Sequence, residues 1–382
     1  MDKVRIGDVC TVVSGSTPKS NIEEYWNGDI KWITPAEIDG DSYVISDTER
    51  HITEKAVEKT NLTLLPVGTV LLSSRAPIGK TAIAGAEMYC NQGFKNLICS
   101  EKIYNRYLYF FLTSKVDYLN ALGRGATFKE ISKGIVEDVE IPLPTIEVQK
   151  NIAKRLEVIQ QLINNRKQAL LQIDNLVKSR FVEMFGDLRI NPCGWKIQSF
   201  ADLTDLITDG EHATPRRVQK GIYLLSARNV LNHSIQLDDV DYIDEEEYKR
   251  IAKRVVPKEG DVLISCSGSV GRCCSVPVGL KFQMVRSAAL LRFKSFINPV
   301  FAEYMITSDY LQGQINSAKT ASSQANLFQG RIAKLKGFAP PIDLQKKFAD
   351  FVAQADKSKL SIQQSIETLQ TLKAKLMQDY FG

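Results

Sequence analysis

The chain of 382 residues is long enough for two or three ordinary domains, so a single compact domain is not expected. Its 44% hydrophobic and 24% charged residues are typical of globular proteins and exclude a disordered or collagen-like chain. The net charge of +5 is too small for binding to nucleic acid by gross charge alone. All of this charge lies after residue 186, because the first 186 residues carry equal numbers of basic and acidic side chains.

Cysteine content and apolar segments exclude further classes of protein. The seven cysteines form no C-x-x-C pair and only three histidines occur, so we expect neither a disulfide framework nor a metal site. No segment approaches the roughly 20 apolar residues of a membrane span, and the N-terminus has no apolar stretch long enough for a signal sequence. We therefore expect a soluble, cytoplasmic protein without a membrane partner.

Short β-rich runs and two amphipathic segments predict a mixed fold in two globular parts, residues 1–143 and 187–339. In chain order, strands are predicted at 69–73, 139–143, 261–265 and 288–293, and helices at 104–112 and 299–306. Strands and helices do not alternate regularly, so an α+β fold with irregular sheets is favoured over a doubly wound sheet.

A helical tail follows each globular part, at 144–186 and 340–382. Apolar residues in both tails keep a 4-3 spacing, which predicts coiled-coil helices. The polar interruptions of this stripe are Arg166, Arg180, Lys359 and Lys373. We favour tails that pack on each other, since the stripe is narrow; the alternative is that each tail packs on its own globular part.

The two halves repeat one plan. The strand at 70–73 and the following Gly79-Lys80 recur as 262–265 and Gly271-Arg272, and Gln149-Lys150 recurs as Gln345-Lys346. A repeat of this length predicts two pseudo-symmetric α+β parts separated by two long antiparallel coiled-coil helices.

Motifs of common catalytic sites are missing. Ser74 stands where a phosphate-binding loop ending in Gly79-Lys80 needs a glycine, and the segment 123–125 lacks the third glycine of a dinucleotide site. No G-x-S-x-G or H-E-x-x-H segment occurs. Dispersed carboxylates could still build a nuclease, but a non-enzymatic function is favoured.

Several segments together resemble the specificity (S) subunits of type I restriction–modification systems. In the first half these are 14–19, 25–35, 71–79 (LLSSRAPIG) and 91–93 (NQG); in the second half they are 209–215 and 221–230, and the helix entry at 141–150 adds to them. No single motif is specific, but the resemblance covers essentially the whole chain.

This resemblance implies a non-catalytic reader of double-stranded DNA. In this family, two target-recognition domains each recognise one half of a bipartite, asymmetric site, and the paired helices set the gap and dock two modification (M) subunits. The M subunits hold S-adenosylmethionine and methylate adenine, and restriction (R) subunits use ATP and Mg²⁺, so no cofactor is expected in this chain. Half-sites about one helical turn, roughly 34 Å, apart would suit a two-fold layout.

Candidate DNA-binding residues lie in three loops of each globular part. Hydroxyl-bearing residues allow close approach, Arg and Lys suit phosphate or guanine, and Gln and Asn suit adenine. The alternatives are tight turns, helix caps and solvated surface. The candidates are Thr17, Lys19, Ser73, Ser74, Arg75, Lys80, Arg124, Thr127 and Lys129 in the first part, and His212, Arg216, Arg217, Ser265, Ser267, Ser269, Arg272, Gln324 and Asn326 in the second. Lys80 and Arg272 are predicted to touch phosphate.

The apolar stripe of the tails is the predicted surface for partner binding. Its candidate residues are Ile163, Leu170, Ile173, Ile362, Ile366 and Leu369. A function of another class stays open, namely a coiled-coil scaffold whose globular ends bind proteins.

Overall fold

The computed structural model describes residues 2–38, 40, 43–75, 77–125, 129–318 and 326–382. The chain divides into two compact units, the first formed by 1–169 with 362–382 and the second by 170–361. These units differ from the predicted four-part division, because each unit combines one globular part with half of each of two 40-residue helices.

The described residues of the first unit form three sheets. Its strands are β1 (Lys3–Arg5), β2 (Cys10–Ser14), β3 (Trp26–Ile33), β4 (Val44–Ile45), β5 (His51–Ile52), β6 (Val70–Leu72), β7 (Thr81–Ala84), β8 (Tyr89–Cys90), β9 (Lys95–Cys99) and β10 (Glu140–Pro142). Its helices are α1 (Ile6–Val9), α2 (Glu54–Lys59), α3 (Asn105–Ser114), α4 (Val116–Leu122), α5 (Lys133–Glu137) and the first half of the first long helix, α6 (Ile146–Phe185). The strand orders are β2-β9-β6-β7-β4, β5-β3-β8 and β1-β10.

Four sheets are formed by those residues of the second unit that the structure describes. Its strands are β11 (Ile197–Ser199), β12 (Thr204–Asp209), β13 (Ile222–Leu225), β14 (Val230–Leu231), β15 (Ser234–Ile235), β16 (Asp241–Ile243), β17 (Val262–Ser265), β18 (Cys273–Ser275), β19 (Phe282–Met284), β20 (Ala288–Phe293) and β21 (Lys336–Phe338). Its helices are α7 (Phe200–Leu203), α8 (Glu245–Ala252), α9 (Pro299–Thr307), α10 (Asp309–Ala318), α11 (Gln329–Ile332) and the first half of the second long helix, α12 (Ile342–Phe381). The strand orders are β12-β20-β17-β18, β16-β13-β19, β11-β21 and β14-β15.

Central strands of the main sheets are buried on both faces. In β6, Val70 and Leu72 face a core formed with α3 and the long helices, whereas Leu71 faces a second core on the opposite side of the sheet. In β17, Val262 and Leu263 divide between two cores in the same way. Since side chains alternate along a strand, a continuous apolar run is the expected sequence for such a position. The mixed fold and all six predicted elements are confirmed.

The long helices pair in antiparallel fashion within each unit. In the first unit, Arg166 Nε donates to Ser365 Oγ at 2.7 Å, and Lys373 Nζ donates to Gln160 Oε1 at 2.6 Å. In the second unit, an ion pair of 3.2 Å joins Lys359 to Asp174. Three of the four predicted interruptions therefore bond across the helix pair, whereas Arg180 pairs with Glu183 of its own helix at 2.8 Å. Burial lowers the pKa of Lys373.

Packing of the long helices corrects two of the predicted partner-binding residues. Ile163 and Ile366 are buried, and the other four candidates, Leu170, Ile173, Ile362 and Leu369, are half-buried. Ile163 and Ile366 are therefore not available to a partner subunit, while partner contact by the four half-buried residues stays a prediction. The alternative packing also holds in part, because residues near the start of each tail, such as Leu156 and Phe348, join the core of that tail's own globular part.

A buried glutamine anchors the start of each long helix. Gln149 accepts a hydrogen bond from the N–H of Tyr104 at 2.8 Å and donates to the carbonyl oxygens of Lys102 and Pro144 at 3.0 and 2.9 Å. Gln345 makes the same three kinds of bond in the second unit, and both side chains are fully buried. The repeated Gln-Lys pair thus has a structural cause.

We expect Gln345→Leu to lower the free energy of unfolding of the second unit by about 3 kcal/mol, because each buried polar group left unpaired costs about 1–3 kcal/mol. The groups affected are the N–H of Asn298 and the carbonyl oxygens of Phe296 and Pro340. Hydrogen exchange of β17 and β20 measures the loss. Gln354→Leu, at an exposed position of the same helix, is the control, and an equal loss there would contradict the prediction.

Candidate nucleic-acid interface

A serine at the end of a buried strand closes the same turn in both units. Ser73 donates its hydroxyl hydrogen to the Pro77 carbonyl at 2.6 Å and accepts from the N–H of Lys80 at 2.8 Å. Gly79 in this turn has a φ of +96°, in the left-handed region that favours glycine. Ser265 forms the equivalent pair of bonds in the second unit.

Three of the predicted DNA-binding serines are enclosed. Ser73, Ser74 and Ser265 are all fully buried. The Ser74 hydroxyl donates to the Gly93 carbonyl at 3.0 Å. The structure therefore corrects the prediction of direct DNA contact for these three side chains, since their hydroxyls are used to close turns inside the protein.

Lys80 and Arg272 also bond inside the protein. Lys80 Nζ donates to the Pro35 carbonyl at 3.1 Å, and Arg272 Nη2 donates to the Ala227 carbonyl at 3.0 Å. Each carbonyl belongs to the first residue of a short 3₁₀ turn, and both cationic side chains are half-buried. Each side chain thus commits one donor to the backbone and keeps others, so phosphate contact by this pair stays a prediction.

Four backbone segments meet at one end of the main sheet in the first unit. The N–H groups of Ser16 and Ser74 donate to the carbonyls of Cys90 and Gly93 at 2.9 and 2.7 Å, and the N–H of Ile131 donates to the Ser74 carbonyl at 3.0 Å. We name this surface the first loop cluster. It is formed by residues 14–19, 73–75, 90–94 and 129–131.

The second unit builds an equivalent surface. The N–H groups of Glu211 and Cys266 donate to the carbonyls of Met284 and Ser287 at 2.8 and 2.7 Å, and the N–H of Leu327 donates to the Cys266 carbonyl at 2.9 Å. We name this surface the second loop cluster. It is formed by residues 209–212, 265–269, 284–288 and 326–327.

A glycine permits the close approach of two segments in each cluster. A Cβ atom on Gly15 would overlap the carbonyl oxygen of Asn91, and one on Gly210 would overlap the backbone of Met284 and Val285. Side chains are therefore excluded at both positions by backbone that belongs to the cluster itself.

Most of the exposed candidates of the first unit belong to the first loop cluster or lie beside it. Thr17, Lys19, Arg124 and Lys129 are exposed, and Arg75 is half-buried. Within the described ranges, none of these cations forms an ion pair. The backbones of Arg75 and Arg124 both bridge to Glu130, which draws the loop after β6 towards the segment after α4. Thr127 lies outside the described residues.

Three further candidates of the second unit, Ser267, Ser269 and Asn326, lie in the second loop cluster. Ser267 and Asn326 are half-buried and their backbones bridge, as Arg75 and Glu130 do in the first unit, while Ser269 is exposed. Gln324 lies outside the described residues. DNA contact by these residues and by the exposed candidates of the first unit stays a prediction.

The loop at the start of the second globular part is largely neutralised by carboxylates. His212 Nε2 lies 2.8 Å from Asp209 Oδ2. Arg216 pairs with Asp244 and Glu246 at 2.7 and 2.9 Å, and Arg217 pairs with Asp241 at 3.0 Å. Three carboxylates therefore balance the charge of the candidate pair Arg216-Arg217.

Sequence reasoning missed one segment of each cluster as a site, 90–94 and 284–288. Within these, Gln92 and Arg286 are exposed. The internal repeat is the signal that could have identified Gln92 and Arg286, because they occupy matching positions in the two halves. Gln92 directly precedes Gly93 and Arg286 directly precedes Ser287, and the carbonyls of Gly93 and Ser287 accept equivalent hydrogen bonds.

In the parts of the chain that the structure describes, no helix is both long and apolar enough to cross a bilayer. No group of three or more His, Cys, Asp or Glu side chains in these parts could hold a metal ion.

Comparisons with known proteins show what this chain is similar to. Residues 1–174 match the family model of the type I restriction modification DNA specificity domain. The sequence is 28% identical to the type I restriction enzyme MjaIX specificity subunit of Methanocaldococcus jannaschii, over 98% of this chain and 91% of that subunit. The chain is therefore similar to type I restriction enzyme specificity subunits along almost its whole length. The matched specificity domain includes the whole first loop cluster.

Solved structures share the fold of this chain. The crystal structure of the type I S subunit from M. genitalium aligns with a TM-score of 0.57 at 15% identity, covering all of this chain and 96% of that one. A chain from a structural study of complex assembly and conformational transition of the type I restriction–modification system aligns with a TM-score of 0.61 at 17% identity, covering all of this chain and 97% of that one. At these identities, the likeness supports the fold.

Proposed function

We propose that this specificity subunit reads a bipartite, asymmetric DNA site, with one half-site for each loop cluster. The observation that carries the proposal is the repetition of the cluster. The same four segments meet in both units through equivalent backbone hydrogen bonds, while their exposed side chains differ. A shared scaffold with different exposed side chains suits two half-sites of unlike sequence.

Exposed cations of the first unit suit contact with phosphate. Lys19, Arg124 and Lys129 are exposed, and no carboxylate of the described residues pairs with them. Phosphate contacts supply affinity that falls with salt and carry no sequence information, so the polar side chains of the clusters are left to read base edges.

We infer that this chain is non-catalytic and that the chemistry belongs to partner subunits. Two M subunits would hold S-adenosylmethionine, and R subunits, which join through them, would use ATP and Mg²⁺. Exposed apolar side chains on the long helices support docking there rather than on the buried stripe. They are Val158, Leu162 and Leu372 in the first unit and Leu171, Val182 and Leu360 in the second.

Methylation mapping tests this function. The chain is co-expressed with its M subunits in a host without competing methylation, and methylated adenines are located by sequencing. We expect a two-part motif with a fixed gap, and we expect exchange of residues 187–339 for those of another specificity subunit to change one half only. A change in both halves would contradict the proposal, and salt-sensitive binding without sequence preference would favour a protein-binding scaffold with a generic basic surface.

A further inference from the structure

Gln92 and Arg286 occupy equivalent positions in the two loop clusters. In the first, the carbonyls of Cys90 and Gly93 accept hydrogen bonds from the loop after β2 and the loop after β6. In the second, the carbonyls of Met284 and Ser287 accept from the loop after β12 and the segment after β17. The segments 90–94 and 284–288 therefore each hold their third residue between two hydrogen-bonded carbonyls. This third residue is Gln92 in the first unit and Arg286 in the second.

These two side chains differ where the surrounding scaffold agrees. The turn serines, the cations bonded to 3₁₀ turns and the glycines of close approach are each matched between the clusters. Gln92 and Arg286 are both exposed, but the glutamine side chain is neutral whereas the arginine side chain is positively charged. An exposed position that varies on an otherwise conserved backbone frame is where a difference in recognition can be encoded without loss of the fold.

Both side chains have hydrogen-bonding groups free for a ligand. The hydroxyl of Thr17 donates to Gln92 Oε1, which orients the amide and leaves Nε2 without a partner among the described residues. The Oε1 atom retains a second lone pair. The guanidinium of Arg286 has neither an ion pair nor a hydrogen bond to any described residue, whereas Arg216 and Arg217 in the same unit are paired.

We propose that Gln92 and Arg286 are equivalent base-reading residues, with Gln92 reading adenine in one half-site and Arg286 reading guanine in the other. The proposal rests on the proposed function. A glutamine amide can bond adenine through N6 and N7, and an arginine fork can bond guanine through O6 and N7. Thr17 is a positioning residue, because it fixes the amide of Gln92 and leaves its outer edge for the base.

The test uses the complex of the full chain with its M subunits. Binding is measured against DNA libraries in which every position of both half-sites is varied. We expect Arg286→Gln to weaken binding to the original site by about 10- to 100-fold and to change the preferred base at one guanine of the second half-site only. Gln92→Arg is expected to do the same at one adenine of the first half-site.

Arg286→Lys separates base reading from phosphate contact, because lysine keeps the charge but lacks the two-pronged fork. We expect it to relax the preference for guanine as Arg286→Gln does. The controls are Lys294→Gln, with the same charge change at the far end of β20, and Glu101→Gln, which adds the same charge as Gln92→Arg beyond the far end of β9. Neither control should alter base preference.

Two outcomes would overturn the inference while leaving the proposed function intact. One is a uniform loss of affinity across all sequences with a smaller salt slope, rescued by Arg286→Lys, which would assign Arg286 to phosphate. The other is an unchanged motif in both variants. If the unaltered complex shows no two-part motif, it is the proposed function that fails.

Discussion

Phe185→Ala is expected to destabilise the second unit by about 3–5 kcal/mol, the usual cost of removing a buried phenylalanine. The Phe185 ring is fully buried, with ring centroids 4.8 Å from Phe301 and 5.6 Å from Phe348. These partners belong to α9 and α12, so three helices meet at the ring. The site cannot easily collapse onto the cavity, because each wall is held by its own core contacts.

Hydrogen exchange of β17 and β20 measures this effect, with β6 and β9 reporting on the first unit. The matched control is Val182→Ala, one turn earlier in the same helix, where the side chain is 51% exposed. The twin change Phe381→Ala removes a ring that packs on Tyr107 and Phe111, and it should act on the first unit instead. Equal losses for Val182→Ala and Phe185→Ala would contradict the assignment.

Gly15→Ala is expected to lower the affinity of the assembled complex for DNA by about 10- to 100-fold, the equivalent of the 1–3 kcal/mol that overpacking costs. The added methyl group would overlap the Asn91 carbonyl oxygen. Since Asn91 adjoins Gln92, the backbone must shift at the segment that holds the proposed adenine reader. Binding assays on DNA with each half-site altered separately measure the effect, and we expect the first half-site to lose its influence.

Gly134→Ala is the matched control for Gly15→Ala. It makes the same substitution in the same unit, within α5, where no heavy atom lies within 4 Å of the new methyl group. Replacing glycine by alanine inside a helix is usually favourable by about 0.5–1 kcal/mol, so DNA binding should be unchanged. Loss of the second half-site in Gly15→Ala, with the first retained, would contradict the placement of the clusters.

Local pattern predicted the elements of this chain well. The apolar run at Val70–Leu72 and the 4-3 stripe of Ile146–Phe185 depend on neighbouring residues, and both elements lie within two residues of their predicted bounds. The division into units was not predictable in this way, because it depends on which segments pack together. Phe381, at the end of the sequence, lies in the core of the first unit.

The bonding partners of the candidate site residues could not be predicted from the sequence. Lys80 was a natural candidate for phosphate, since it follows a small-residue turn, yet its ammonium group bonds a carbonyl 45 residues earlier in the chain. Arg216 and Arg217 formed a dense charge in the sequence, but their carboxylate partners lie on a different part of the second unit. Such partners are close in space and distant in sequence.

The sequence by itself determined the repeat, the strands and helices and the resemblance to type I specificity subunits, because periodicity, turn residues and motifs are properties of neighbouring positions. Tertiary structure alone decided which polar side chains face solvent. Ser73 and Gln92 are both polar residues in loops, but Ser73 is enclosed by its own turn while Gln92 is exposed beside Thr17. Burial and hydrogen-bond partners, which select the residues free to meet DNA, are set by segments that meet only when the chain is folded.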